Sequence, residues 1–134
     1  VIGAIKTSKT AAVLDTTGLV LALYRKRFGT IPVAVSGAPE PLDIMACWKD
    51  EGKSRLTLSI VNPTATAVTF RLDAGKLRLP DKAELYLIDG PGPRARNVPG
   101  RPPEVAVRET EGAPFGRRLS VPPLSVSLYE IKVR

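Results

Sequence analysis

Carboxylates are the side chains best able to carry out chemistry in this 134-residue chain, which has thirteen Asp and Glu residues, one cysteine and no histidine. The lack of histidine excludes Ser-His and Cys-His nucleophile pairs and removes most zinc sites. Two carboxylates about 5 to 10 Å apart would suffice for glycoside hydrolysis. The acidic residues instead fall chiefly in predicted turns: Asp50, Glu51, Asp73, Asp81, Asp89 and Glu111. The sequence therefore predicts no catalytic residue, cofactor or metal site in this chain.

Two other segments carry residue types that can react or bind anions. Cys47 lies in an apolar strand pattern, where a lone cysteine is typically a small buried thiol. Gly90-Pro91-Gly92-Pro93 is rich in glycine but lacks the lysine and hydroxyl residue of a phosphate loop. Its prolines also remove the amide donors that such a loop uses. We expect neither segment to be a functional site.

Exposed aromatic rings would indicate a stand-alone carbohydrate-binding module, which is one hypothesis for this chain. Trp48, Tyr86 and Phe70 lie in strand patterns, and each must bury a large apolar area, so we expect them in the core or an interface. Tyr129 fits either location. At least two coplanar rings on the surface would be needed to support this alternative.

The net charge of +7 could indicate an acidic partner. The basic residues are spread along the chain, and the arginine-rich loop 94–101 has no interleaved aromatic rings of the kind that single-strand binders use. No segment approaches the roughly 20 apolar residues of a membrane helix. We therefore predict neither a nucleic-acid partner nor a membrane partner.

The first thirty residues have the pattern of one strand followed by one helix. Residues 1–5 are almost uninterruptedly apolar, which is typical of a strand buried on both faces of a parallel sheet. After a predicted loop at 7–15 comes a predicted helix at 16–28, with Asp15 or Thr16 at its start, basic residues in its last turn and Gly29 at its end. The apolar residues of this helix are distributed over almost its whole circumference. We expect this βα unit to need neighbours outside the chain, and the helix to lie between them and the rest of the chain.

From residue 31 onward the apolar residues recur with a period of two. Strands are predicted at 31–35, 42–48, 56–60, 68–72, 85–88 and 124–133, with a hairpin turn at 50–53 and an irregular segment at 89–103. The last strand changes its apolar face midway, which predicts a bulge or a crossing between sheets. Seven or eight strands at this spacing predict an all-β fold, an antiparallel two-sheet sandwich of the jelly-roll type.

Several motifs, in order, resemble glycoside hydrolase family 51, the α-L-arabinofuranosidases. Residues 1–7, 24–29 and 31–33 look like the last strand and helix of that family's (β/α)8 barrel passing into its C-terminal β-domain. Leu58-Ser59-Ile60-Val61-Asn62-Pro63 is similar to a strand that ends in an Asn-containing turn. Ala95-Arg96-Asn97 ahead of Pro103-Glu104-Val105 resembles an Ala-x-Asn loop, and residues 119–126 resemble a closing Leu-Pro-Pro-x-Ser-Val strand.

The resemblance implies that residues 1–30 are the last strand and helix of a truncated barrel and that 31–134 form a C-terminal β-sandwich domain. The family's two catalytic glutamates lie on earlier barrel strands, so the chain is expected to be non-catalytic and to stabilise the barrel of a retaining arabinofuranosidase. The implied partners are that barrel, an arabinose-containing glycan bound by the parent enzyme, and possible further copies of the protein.

The resemblance also implies one candidate substrate-binding residue. The family's loop after the final barrel strand often offers an amide side chain to the sugar, and this position falls near Asp15. A carboxylate stands here in place of the amide. Capping preference favours a structural role for Asp15 at the start of the helix.

Overall fold

The computed structural model describes residues 3–133, which contain ten strands and one helix. The elements are β1 (Ile5–Thr7), β2 (Ala12–Leu14), α1 (Thr16–Arg27), β3 (Ile31–Val33), β4 (Asp43–Trp48), β5 (Arg55–Asn62), β6 (Val68–Arg71), β7 (Lys82–Asp89), β8 (Ala106–Pro114), β9 (Arg118–Val121) and β10 (Ser125–Lys132). Setting aside β1 and β2, eight strands remain, as the sequence spacing predicts.

The strands form one large antiparallel sheet and two small ones. The large sheet has the order β3-β4-β5-β10-β7-β8, while β6 pairs with β9 and β1 with β2. The predicted hairpin between β4 and β5 is confirmed. Its turn is held by Asp50, whose carboxylate accepts hydrogen bonds from the backbone N–H groups of Ser54 and Arg55. The aspartate fixes the turn because it satisfies amides that would otherwise face only water.

The main core lies between the six-stranded sheet and the β6–β9 pair. Cross-strand neighbours such as Ile44 with Ile60 and Ala46 with Leu58 point into it from the large sheet. Leu119 and Val121 of β9 close it from the other side, and both are buried. This alternation of inward apolar and outward polar residues is that of an antiparallel sandwich. The predicted all-β fold is confirmed.

The helix α1 covers the opposite face of the six-stranded sheet. Leu23 is buried there against Tyr86, Ile88 and Leu128, and the hydroxyl of Tyr24 is hydrogen-bonded to that of Ser59. The helix bounds agree with the prediction to within one residue. This second apolar contact explains why β10 buries side chains on both of its faces.

Gly29 follows the helix at a point of close backbone approach. A Cβ atom at this position would lie 2.5 Å from the carbonyl oxygen of Trp48. The Gly29 N–H donates to the hydroxyl of Thr57 at 2.9 Å. Glycine is required here because the chain passes directly over the β4–β5 hairpin.

The prediction for the N-terminal segment is wrong in its pairing. Residues 1 and 2 lie outside the described part of the chain, and Ile5 belongs to β1, which pairs with β2 in antiparallel fashion. The segment 7–15, predicted as a loop, supplies this partner strand through a tight turn in which Ser8 N–H donates to Ala11 C=O at 2.8 Å. Ile5 is 61% exposed, so the described residues do not cover this strand on both faces.

The prediction of a bulge or a crossing between sheets in the last strand is also wrong, because β10 stays within the six-stranded sheet. The β10 register runs without interruption from Ser125 to Lys132 against β5. The apolar face changes because Leu128 faces α1 while Tyr129 and Ile131 face the main core. The one register shift between strands of the large sheet over residues 3–133 lies between Ala83 and Leu85.

Candidate functional site: a helix-side surface and its polar supports

The carboxylates do not all lie where the sequence predicts. Glu111 belongs to β8 and Asp89 ends β7, so neither is a turn residue as predicted. Asp89 forms an exposed ion pair of 2.5 Å with Arg108 on the paired strand β8. Cross-strand pairing therefore explains Asp89 better than turn formation does.

Glu130 is a buried carboxylate that the sequence analysis did not single out. Its side chain is 4% exposed and forms ion pairs with Lys49 at 2.8 Å and with Arg55 at 2.9 Å. Burial raises the pKa of Glu130, but the hydrogen bonds and charges of the two cations outweigh burial and leave this pKa below its ordinary value. Both partners belong to the β4–β5 hairpin region, so the triad ties this hairpin to β10.

Asp15 stands at the start of α1, but its side chain does not cap the helix. One carboxylate oxygen pairs with Lys6 Nζ at 2.5 Å, and the other accepts a hydrogen bond of 3.0 Å from the backbone N–H of Asn97. These contacts, Lys6 first, lower the pKa of Asp15 from 3.8 to about 2. The contact of Asp15 with a sugar stays a prediction.

Asn97 is the buried centre of this polar arrangement. Its amide nitrogen donates to the carbonyls of Leu14 at 3.0 Å and Val105 at 2.8 Å, and its oxygen accepts from Val105 N–H at 3.0 Å. It is 2% exposed. The Ala-x-Asn loop and the segment Pro103-Glu104-Val105 are therefore joined to each other, and to the start of α1, by one side chain.

Asn62 performs a similar task at the other end of the sheet. Its amide nitrogen donates to the carbonyls of Thr66 at 2.9 Å and Pro122 at 2.8 Å. Its oxygen accepts from the Thr64 N–H at 3.0 Å. The Asn-containing turn and the Pro-Pro segment noted in the sequence are thus one buried hydrogen-bonded unit, whose role is structural.

The aromatic residues lie inside the molecule. Trp48, Tyr86 and Tyr129 are 8%, 1% and 5% exposed, and Phe70 is half-buried against the main core. No aromatic ring is classed as exposed among residues 3–133. A carbohydrate platform needs coplanar rings open to solvent, so the described surface does not support the stand-alone binding-module alternative.

Exposed apolar residues concentrate on the side of the molecule that α1 covers. Met45 and Val107 are cross-strand partners of Ser59 and Ile88, which face α1, so both point to that face of the sheet on either flank of the helix. Among residues 3–133, five of the six large exposed apolar residues belong to this side or to the adjoining β1–β2 hairpin: Ile5, Leu14, Leu21, Met45 and Val107. These five residues are here called the helix-side surface.

The β1–β2 hairpin packs closely against α1. A Cβ atom at Gly18 would lie 2.1 Å from the Ala4 carbonyl oxygen and 3.1 Å from Leu14 Cδ2. Leu21 lies three residues after Gly18, so it projects from a neighbouring part of the same helix face. Beside it runs an open, mainly apolar groove of about 490 Å³, lined by Val20, Leu21 and Pro93 among others. The apolar residues of the hairpin and the helix thus form adjacent parts of one surface.

Cys47 and the potential metal ligands provide no further candidate site among the described residues. Cys47 is half-buried, and burial raises the pKa of its thiol, which disfavours the reactive thiolate. Within the described range, no three His, Cys, Asp or Glu side chains come together in a way that could hold a metal ion. None of the helices in that range is both long and apolar enough to span a membrane.

Comparison with known proteins identifies the fold. No protein-family model matches the sequence, and no curated protein matches it. Among solved structures, the GH51 α-L-arabinofuranosidase of Thermotoga petrophila RKU-1 is 23% identical with a TM-score of 0.73, over 97% of this chain and 31% of its own. AbfB, a family 51 α-L-arabinofuranosidase of Bifidobacterium longum, is 22% identical with a TM-score of 0.64, over 98% of this chain and 28% of its own. The predicted structural resemblance to family 51 is confirmed.

The fold is also similar to that of a protein that is not described as an arabinofuranosidase. A bifunctional glucanase-xylanase from a metagenome library is 16% identical with a TM-score of 0.61, over 96% of this chain and 24% of its own. At such identities the likeness establishes the fold and not the substrate. In each comparison this chain spans less than a third of the other protein's length.

Proposed function

We propose that this chain is a non-catalytic β-sandwich domain of an α-L-arabinofuranosidase-like glycoside hydrolase, and that it packs against the catalytic barrel of the same protein. The observation that carries the proposal is the helix-side surface. Leu21 and Ile5 are 60% and 61% exposed on this side. Apolar residues exposed together in this way mark interaction surfaces. The similar glycosidases extend well beyond the matched portion, so a large neighbouring domain is the occupant to which the proposal commits.

In this proposal residues 1–30 are the last strand and helix of the barrel, and residues 31–134 are the C-terminal domain. Covering the side chains of Ile5 and Leu21 would stabilise the joined protein by about 1 to 2 kcal/mol for each residue. The parent enzyme would remove arabinofuranosyl groups from an arabinose-containing glycan with retention, using two glutamates outside this chain. The role of the present domain is then to cover one side of the barrel.

The catalytic part of the proposal is tested with the isolated chain. The 134-residue chain mixed with 4-nitrophenyl α-L-arabinofuranoside should release no nitrophenol above the buffer rate. A complete family 51 enzyme under the same conditions is the positive control. Turnover that follows the concentration of this chain would refute the non-catalytic reading.

The docking part is tested by Leu21→Lys in the longer protein encoded with this segment. Val35→Lys is the matched control, because Val35 is also exposed, at 41%, but lies off the helix-side surface. In the isolated chain both variants should have the same melting temperature as the unsubstituted chain. In the longer protein only Leu21→Lys should lower the melting temperature. Equal behaviour of the two variants there, or an upstream reading frame that encodes no barrel, would overturn the proposal.

A further inference from the structure

The outer face of the β6–β9 pair carries two arginines that face each other. Arg71 and Arg118 are directly opposed in the strand register, and both are exposed. Arg117 is their neighbour, and the three arginines line one open cleft together with Thr69 and Phe70. None of the ion pairs within residues 3–133 involves any of these arginines. The cleft is therefore a concentration of positive charge that the described acids do not neutralise.

Opposed like charges on neighbouring strands repel each other and destabilise the pairing. An anion placed between them would replace that repulsion with attraction. Guanidinium groups match a carboxylate well, because each presents a planar fork of N–H donors to its two oxygens. The opposed placement of Arg71 and Arg118 thus favours an oxyanion, a carboxylate or a phosphate, as the bound group.

A row of hydroxyl groups continues the same outer face. Thr69 and Ser120 are the next outward pair in the register, two residues from the arginines, and their hydroxyls are hydrogen-bonded at 3.1 Å. Hydroxyl groups can both donate and accept, so they suit the hydroxyls of a sugar. Phe70 is the one ring among the residues that line the cleft, and it is half-buried against the main core. A single half-buried ring does not provide the series of stacking platforms that single-stranded nucleic acids use.

We propose that the outer face of β6–β9 binds an acidic polysaccharide built from uronate units. Arg71 and Arg118 would hold a sugar carboxylate, Arg117 would add charge, and Thr69 and Ser120 would contact sugar hydroxyls. The arginines favour an oxyanion, and a sugar carboxylate is the oxyanion that would also place hydroxyl groups beside Thr69 and Ser120. The choice of a polysaccharide as its carrier rests on the proposed function, in which the parent acts on glycans. This face lies across the main core from α1, so it stays free when the helix-side surface is covered.

The experiment measures binding of the 134-residue chain to polygalacturonate at low salt, by calorimetry or by retardation in a gel that contains the polymer. Fully methyl-esterified galacturonan is the matched ligand control, since it has the same backbone without the charge. We expect binding to the acid form and none to the ester. Arg71→Gln with Arg118→Gln should weaken binding at least about tenfold, because two charge-assisted contacts are lost.

The control variant removes equal charge elsewhere. Arg25→Gln with Lys26→Gln takes two exposed cations from α1 and should change the affinity less than about twofold. Thermal melts establish that both double variants are folded. Equal weakening by the two variants, no binding to polygalacturonate, or tighter binding to single-stranded RNA than to polygalacturonate would each overturn the proposal. The Leu21→Lys experiment is independent of this outcome, so failure of barrel docking and failure of uronate binding can be told apart.

Discussion

Substitution of Asn97 by alanine tests how the start of α1 is held against the sandwich. The side chain makes three hydrogen bonds, two to Val105 and one to Leu14. Alanine would leave those backbone groups without partners at a place where Asn97 is 2% and Val105 3% exposed. Each lost bond of this kind costs about 1 to 1.5 kcal/mol, so we expect the free energy of unfolding to fall by about 3 to 4.5 kcal/mol. That is a large share of the roughly 5 to 15 kcal/mol of a typical domain.

Urea unfolding followed by tryptophan fluorescence is a suitable assay, because Trp48 is the one tryptophan in the sequence and lies in the main core. Asn97→Ala should lower the midpoint and leave the slope unchanged. Thr69→Ala is the control, because it removes a single exposed hydrogen bond, to Ser120. It should change the free energy of unfolding by no more than about 0.5 kcal/mol.

Two results would refute this reasoning. Equal urea midpoints for Asn97→Ala and Thr69→Ala would mean that water replaces the lost bonds without cost. Faster amide exchange in α1 with an unchanged Trp48 midpoint would mean that the N-terminal segment opens separately from the sandwich. In the second case Asn97 would hold only a local element and would not contribute to the stability of the whole domain.

Three further predictions concern the same framework. Gly29→Ala should destabilise the fold by about 2 kcal/mol or more, because the new Cβ would meet the Trp48 carbonyl. Gly92→Ala is the control, since its Cβ would face open space and should have little effect. Equal melting temperatures of the two variants would contradict this. Asp15→Asn should destabilise at neutral pH, because a folded-state pKa lowered to about 2 stabilises the folded protein above the ordinary value of 3.8. That difference should shrink as pH falls through this range, and unfolding measured at neutral pH and near pH 2 checks the sign. Glu130→Gln should flatten the acid side of the stability profile, since the lowered pKa of Glu130 adds stability that is lost on acidification; a variant profile as steep as that of the parent sequence would argue against this.

Most strands that could be predicted from sequence have one apolar face in the main core, although the short β9 has such a face and was noted only through the family resemblance. In β5, Leu56, Leu58 and Ile60 alternate with Thr57 and Ser59, and this period of two is visible without a structure. The strand β8 was missed because eight of its nine residues are exposed, so it has no apolar alternation. It is an edge strand rich in charged residues, which is how natural sheets protect their edges.

The buried polar network could not be predicted from pattern alone. Asn97 lies in an irregular segment, and its partners Leu14 and Asp15 are more than eighty residues away. Only the resemblance of the Ala-x-Asn loop and the segment Pro103-Glu104-Val105 to a known family singled out this region. Glu130 was missed for a related reason: its two cations are distant in sequence, and only the strand pairing brings all three together.

The helix is fixed to the sandwich by hydrogen bonds at three points along its length. At its start Asp15 accepts from the Asn97 N–H, in its third turn Tyr24 is bonded to Ser59, and just after its end Gly29 donates to Thr57. Apolar contacts alone would let a helix slide or rotate on a sheet, because they have little directional preference. Three directional bonds prevent this and keep the exposed Leu21 in a constant position. A surface arranged before contact loses little conformational freedom on docking, so we expect α1 to serve as a rigid support between the sandwich and the proposed barrel.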